Sequence, residues 1–385
     1  MNQQLAAFGI SPQTGFLPET PPLHSLPAAF AAWEEVAQRL PKYLLSDEFR
    51  RLVEDLPAFP IGELRSEAEH ERAMVLLSYL GHAYVWCGPK AADRIPAVLA
   101  VPWHAVATQL GRPPMLSYAS YCLHNYSRLV SSRDLEAGNV ALVQSFLGGV
   151  DEEWFVVIHV DIEMKAAAAL RELLPAQEAA GTGDIRRLRQ SLEAIAASLD
   201  AMNTTMERMP EWCDPYIYYH RVRPYIHGWN SHPDLPEGVV YEGVEAYGGK
   251  PQRFRGETGA QSGIVPALDA FLGVEHAQDV LRDYLMEMRR YMPPGHRRFV
   301  ETIEAGASVR EFVEGRPELR EAYDHCVAGV HRFRAKHLEY AATYIFKQAQ
   351  TDSKNPHAVG TGGTPFMPYL KKHRDETEGH LLAAH

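Results

Sequence analysis

Several stretches of this sequence place reactive side chains at helical spacing. His337 falls in phase with Leu319, Tyr323, Cys326, Val330, Phe333, Tyr340 and Tyr344, three or four residues apart, so all eight share one stripe of a helix. A neutral imidazole on such a stripe either bonds a carbonyl or carboxylate in the core or binds iron from a helix facing a cofactor cavity. The spacing leaves both open. His159 lies one turn beyond Phe155 in Trp154–Glu163, which puts a ring and an imidazole on one face. Tyr219 and Arg223, also one turn apart, suit a ligand with an aromatic body and a carboxylate, although an arginine paired with an acid is the alternative. Phe254–Gly263 combines glycines with the hydroxyl of Thr258, compatible with close approach of a planar ligand or with a simple helix start. Tyr118–Tyr126 carries several polar aromatics, for a pocket or for packing.

Other chemistries lack their residues. There is no H-E-x-x-H, no phosphate-binding glycine loop and no G-x-S-x-G turn. The 18 histidines show no metal-binding spacing, which predicts no non-haem metal site. Cys87, Cys122, Cys213 and Cys326 are scattered and read as free thiols.

The elements that must position these residues are mostly helices. Pro27–Leu40, Glu63–Trp86, Val101–Leu110 and Ser117–Ser127 come after an irregular arm over residues 1–26. The glycines of Leu147–Gly149 mark a seam, dividing the chain into a smaller helical domain (1–147) and a larger one (148–385). Further helices span 151–176 and 185–209, with a loop at Ala179–Asp184 and Asp184 as its N-cap. Residues 228–256 have no helical period and allow a short hairpin near Val239. Helices resume at Gln261 and continue through 279–291, 294–305, 309–314 and 317–347. Residues 349–363 read as mobile, before a last short helix. The fold class is all-α.

The 385 residues suffice for a large core, with 46% hydrophobic and 23% charged residues as in soluble domains. The net charge of -11 disfavours nucleic-acid binding. No segment reads as a signal peptide or membrane span, so a cytoplasmic protein is expected.

Taken in order, Pro113–Ala119, Val240–Gly243, Phe254–Ser262, Leu268–Gly273, Arg290–Arg297, Ser308–Val313, Arg320–Asp324, the helix of His337 and Gly360–Thr364 resemble the indoleamine 2,3-dioxygenase family. The resemblance spans about residues 20–380. It implies a large helical domain holding haem b and a smaller one covering the distal side. By the same resemblance, His337 is the axial iron ligand, with Asp269 and Arg334 a charged pair beside it. Arg255, Gly256, Glu257, Thr258 and Gly259 form the loop over the haem edge, and Tyr118, Tyr121, Phe155, Tyr218 and Tyr219 line the substrate pocket. Arg223 holds the substrate carboxylate and Thr361 belongs to a closing loop; His159, Arg223 and Thr258 are the residues expected to take part in catalysis.

The implied reaction adds both atoms of O₂ across the indole 2,3-bond of L-tryptophan or a relative on ferrous haem, giving N-formylkynurenine, with an unidentified reductant. Two other readings remain: different ring chemistry on a tryptophan derivative in secondary metabolism, and a haem-binding sensor or carrier without turnover. The chain departs from the mammalian pattern at three places. His159 stands where those enzymes have serine, and Tyr218 and Tyr219 where they have phenylalanine. His159 could therefore bond the indole N–H or bind the iron. Oligomeric state is not legible.

Overall fold

Two long helices, Val150–Thr182 and Ile185–Glu207, form an antiparallel hairpin at the centre of the fold. Gly183 ends the first in the left-handed region (φ 79°), where a residue without a Cβ is unstrained, and the Asp184 carboxylate caps the second by accepting from the Arg187 amide. The expected break at Ala179 does not occur. Buried Ala176, Ala179 and Ala180 keep packing against the core and carry the helix through Pro175 to Thr182. Pro317–Tyr340 lies on Ile185–Glu207, and Phe366–Glu378 lies on Pro317–Tyr340. Ile264–Leu272 contacts both Val150–Thr182 and Pro317–Tyr340. This computed structural model describes residues 2–351, 360–361 and 366–382. Most of the segment expected to be mobile lies outside the described residues.

In the N-terminal part Glu67–Trp86 is buried almost all round and starts at a capping box between Ser66 and Glu69. It packs on Ala97–Gln109, and Gly81 is required at the crossing because a Cβ there would sit 2.2 Å from the Trp103 ring. The arm before it is not wholly irregular: Asn2–Ala6 is helical, and Phe16 packs over Gly263 and His296. At the glycine seam, Gly148 and Gly149 both have positive φ, and the buried Glu152 carboxyl accepts from the amides of Phe146, Leu147 and Gly148.

Strand is confined to two small pairs among the described residues: Tyr126–Arg128 antiparallel to Val140–Leu142, and Arg94–Ile95 parallel to Val240–Tyr241. The expected hairpin near Val239 is reduced to a single antiparallel bridge in which Val239 and Gln252 exchange both amide bonds, and the next residues turn to the parallel pair, where Val240 and Glu242 donate to carbonyls of Asp93 and Ile95. Three short π-helical stretches, Ala119–Leu123, Tyr218–Val222 and Ala341–Phe346, interrupt the α-helical period. The expected helices at Ser117–Ser127 and Pro317–Lys347 are therefore a π-turn followed by strand, and a helix that changes pitch after Tyr340.

Candidate functional site

His337 sits in the last turn of Pro317–Tyr340. His337 is exposed by surface area, yet enough protein lies near its imidazole that desolvation, with smaller effects of His159 and Arg334, lowers it to about 4. The ring therefore faces open space close to the core. No described residue hydrogen-bonds its ring. His159, in the first third of Val150–Thr182, adds to the lowering of His337, so the two imidazoles lie in the same region of the molecule. The Nδ1–H of His159 donates to the Phe155 carbonyl at 2.7 Å, which leaves Nε2 as an unprotonated acceptor. Burial keeps this imidazole neutral as well.

Behind His337, Arg334 and Asp269 form a two-point ion pair at 2.9 and 2.5 Å. Burial would raise the Asp269 carboxyl, but Arg334 and His276 outweigh it and hold it at about 2. Arg334 also donates to the Thr377 hydroxyl at 2.5 Å, so at least three of its four Nη protons are engaged within the protein. The pair therefore steadies the helix that carries His337, one turn away.

On the side of His159 the rings form a basket. Phe155 lies 4.5 Å from His159, 4.7 Å from Tyr218 and 6.2 Å from Tyr121, and Tyr118 lies 5.9 Å from His159. The Tyr118 hydroxyl donates to Glu163 at 2.9 Å, as does Ser262. Arg223 is 1% exposed, and its guanidinium lies 5.3 Å from the Tyr219 ring. The π-turn at Tyr218–Val222 brings Tyr218 into the basket while Tyr219 and Arg223 stack together.

The Arg255–Gly259 loop closes one wall. The amide of Glu257 donates to Ile226, and Thr361 donates its hydroxyl to the Glu257 carbonyl. Gly256 and Gly228 pack back to back: a Cβ on Gly256 would sit 2.3 Å from the Gly228 nitrogen, whereas a Cβ on Gly259 would meet nothing. Gly256 is small because a neighbouring backbone leaves no room for a Cβ, and Gly259 faces open space. Thr258 accepts from the Ala260 amide, and Arg255 pairs with Glu287 at 2.7 Å.

Some residues of the site are absent from the sequence-based set. Glu163 joins Tyr118 to Ser262, one turn beyond His159 on the same stripe, so helical phase is signal enough to find it. Gln261 accepts from the Tyr118 amide and donates to the Gly256 carbonyl, tying wall to loop. His276, His373 and Glu376 bring their ligand-type atoms within 4.8 Å of one another, a grouping that no local spacing announces. His276 there bridges Glu376 at 2.7 Å and Asp269 at 3.4 Å, so the group serves the ion-pair network.

Comparison with known proteins agrees along the whole chain. The family model for indoleamine 2,3-dioxygenase matches residues 4–380. An indoleamine 2,3-dioxygenase of Aspergillus candidus is 37% identical, over 96% of this chain and 95% of its own. Indoleamine 2,3-dioxygenase 1 of Rattus norvegicus is 35% identical, over 98% and 96%. A 6-hydroxytryptophan 2,3-dioxygenase of Fusarium equiseti is 32% identical, over 98% of each.

Proposed function

The chain belongs to the indoleamine 2,3-dioxygenase family and is a dioxygenase, and from that premise we propose that it opens the indole ring of L-tryptophan or a related indole by adding both atoms of O₂ across the 2,3-bond, to give N-formylkynurenine or its analogue. The name of the Fusarium relative supports keeping related indoles in the substrate class. The observation that carries the reading is the basket of Tyr118, Phe155 and Tyr218 around His159, whose Nδ1–H is held by the Phe155 carbonyl, with the buried Arg223 stacked on neighbouring Tyr219.

The residues fit the family's haem. His337 offers a neutral ring nitrogen that no described residue bonds, on a helix braced by Arg334 and Asp269. Haem b in its ferrous state would supply O₂ binding and activation there. In this reading residues 148–385 hold the cofactor and residues 1–147, which contribute Tyr118 and Tyr121, cover the distal side.

The protein's own work is positioning and exclusion of water. Arg223 takes the substrate carboxylate, with Thr258 and Thr361 at the loop that covers the amino-acid end. Phe155 and Tyr218 hold the ring by apolar contact. His159 accepts the indole N–H through Nε2, which its bond to Phe155 keeps unprotonated. The test is absorbance in the kynurenine range with reduced, haem-loaded protein, air and L-tryptophan or a panel of related indoles. Product formation is expected. Stable binding of indoles without turnover of any of them would leave a carrier or sensor as the better reading.

A further inference from the structure

The C-terminal helix carries two donor side chains that meet a third from across the fold. His373 and Glu376 lie three residues apart on Phe366–Glu378 and so share a face. His276 comes to that face from the segment after Ile264–Leu272. Each of the three brings one ligand-type atom within 4.8 Å of the others, and the two imidazole centroids are 4.1 Å apart. The ion-pair network accounts for two members: His276 and Glu376 bond each other at 2.7 Å, and the Ala277 amide donates to Glu376 at 3.3 Å. It does not account for His373. That residue is 8% exposed, no described residue hydrogen-bonds its ring, and its Nε2 is wholly buried. A buried imidazole without a partner has lost its water for nothing, which an apolar side chain at the same place would avoid.

The surroundings suit a bound cation. Nδ1 of His276 faces Glu376, and its Nε2 lies 3.4 Å from the Asp269 carboxylate. A carboxylate behind the second nitrogen is what fixes the tautomer and orientation of a metal-binding histidine. The neighbouring positive groups have carboxylates of their own. Arg334, 3.3 Å from the same Nε2, is paired with Asp269, and Lys372, 3.5 Å from Glu376, is paired with Asp279.

We propose that His276, His373 and Glu376 form a second metal site, separate from the haem pocket, for a divalent cation of the zinc type. Two imidazoles and one carboxylate are a zinc donor set, and water completes the tetrahedron. Bonds of about 2.1 Å put tetrahedral donors about 3.4 Å apart. A small rotation of the partly exposed Glu376 closes the group to that spacing. The cation then replaces the bond between His276 and Glu376, and the His276 ring proton moves to Nε2, where Asp269 accepts it. The site clamps Phe366–Glu378, which lies on the helix of His337, to the segment after Ile264–Leu272. Sequence spacing hides it because His276 and Glu376 are 100 residues apart.

The experiment titrates chelator-washed, haem-loaded protein with Zn²⁺ by calorimetry, and counts zinc against iron by mass spectrometry after gel filtration. One zinc per chain is expected, undisturbed by excess Mg²⁺, with a rise in the urea midpoint and two imidazoles in the zinc X-ray absorption spectrum. His373→Ala and Glu376→Gln should each weaken binding by at least about a hundredfold, since loss of a ligand exceeds the roughly 10- to 100-fold cost of losing a group behind one. Both should also abolish the zinc-dependent rise in midpoint while leaving haem content unchanged. Glu376 is partly exposed, so Glu376→Gln keeps the test readable should His373→Ala fail to fold. Wild-type protein that retains no zinc overturns the proposal. So does zinc retained equally by Glu376→Gln, which would place the cation on other histidines.

Discussion

A single proton position decides what His159 can do. Its Nδ1–H is committed to the Phe155 carbonyl, so Nε2 can only accept, and an indole N–H is the donor that fits. His159→Ala should therefore lower discrimination between L-tryptophan and 1-methyl-tryptophan by about five- to tenfold, the worth of one such bond; equal ratios in both proteins would rule the contact out. For the other imidazole, His337→Ala should abolish retention of haem through gel filtration, and a variant that keeps normal haem content would refute the ligand assignment. The glycines of the loop separate just as cleanly. Gly256→Ala forces a Cβ against the Gly228 backbone and should cost about 3 kcal/mol in urea unfolding, at the upper end for overpacking, whereas Gly259→Ala, with open space and no positive φ, should leave the midpoint nearly unchanged.

At the scale of elements, the π-turns are the feature that helical periodicity hides. Each adds a residue to a turn and so rotates the chain beyond it, and such turns concentrate at functional sites. Those at Ala119–Leu123 and Tyr218–Val222 set the aromatic basket. The third begins just after Tyr340 and lets the Tyr344 hydroxyl reach the Cys213 carbonyl at 2.7 Å. Deleting Ala342 should restore α-helical pitch beyond His337. Haem content is then expected to survive, because the ligand precedes the turn, while KM for the substrate rises at least about tenfold as the π-turn's contacts with Tyr218–Val222 are lost; an unchanged KM would show that the turn has no part in the site. The same contrast separates the legible from the hidden. The stripe of His337, the Phe155–His159 turn and the Asp184 cap depend on local spacing and can be read directly from the residues. The hidden parts depend on other physics: π-turns on tertiary packing, the helix through Pro175 on buried alanines, and the network of His276, His373 and Glu376 on contacts about a hundred residues apart along the chain.

For the whole molecule, buried titrating groups set the pH range of stability. His82 donates through Nδ1 to the Tyr225 carbonyl and accepts the Leu116 amide at Nε2, so a second proton has no place to go; burial holds it at about 3, as it does His296. In the unfolded chain these residues bind protons near their usual 6.5, so acidification from about 6.5 to 3 favours unfolding. Glu152, Glu163 and Glu257 act in the opposite sense, because burial raises them to about 7, 7 and 8, and folding gains protons there between about 4.5 and 8. The two sets offset each other above about 4.5; below it the histidine effect is joined by the paired carboxyls, Asp269 above all, whose stabilisation is lost as they take up protons. Urea midpoints should change little from pH 7 to about 4.5 and then fall steeply. His82→Gln, which keeps a donor and an acceptor but does not titrate, should flatten that fall, and parallel curves for the two proteins would show that His82 contributes nothing to it.

The grip of Glu67–Trp86 on the segment beside the loop has an optical consequence. His82 lies 4.8 Å from the Trp229 ring and 6.3 Å from Trp103, and Trp86 lies 6.1 Å from Trp229 while its indole N–H donates to the His227 carbonyl. Two of the six tryptophans thus flank one histidine and a third packs on Trp229; burial keeps that histidine neutral while the fold is closed, and an imidazole that took up a proton on opening would quench indole emission. The chain carries its own lamp at the wall formed by Gly228 and Gly256: its brightness reports whether that wall is closed, before any cofactor or substrate is added.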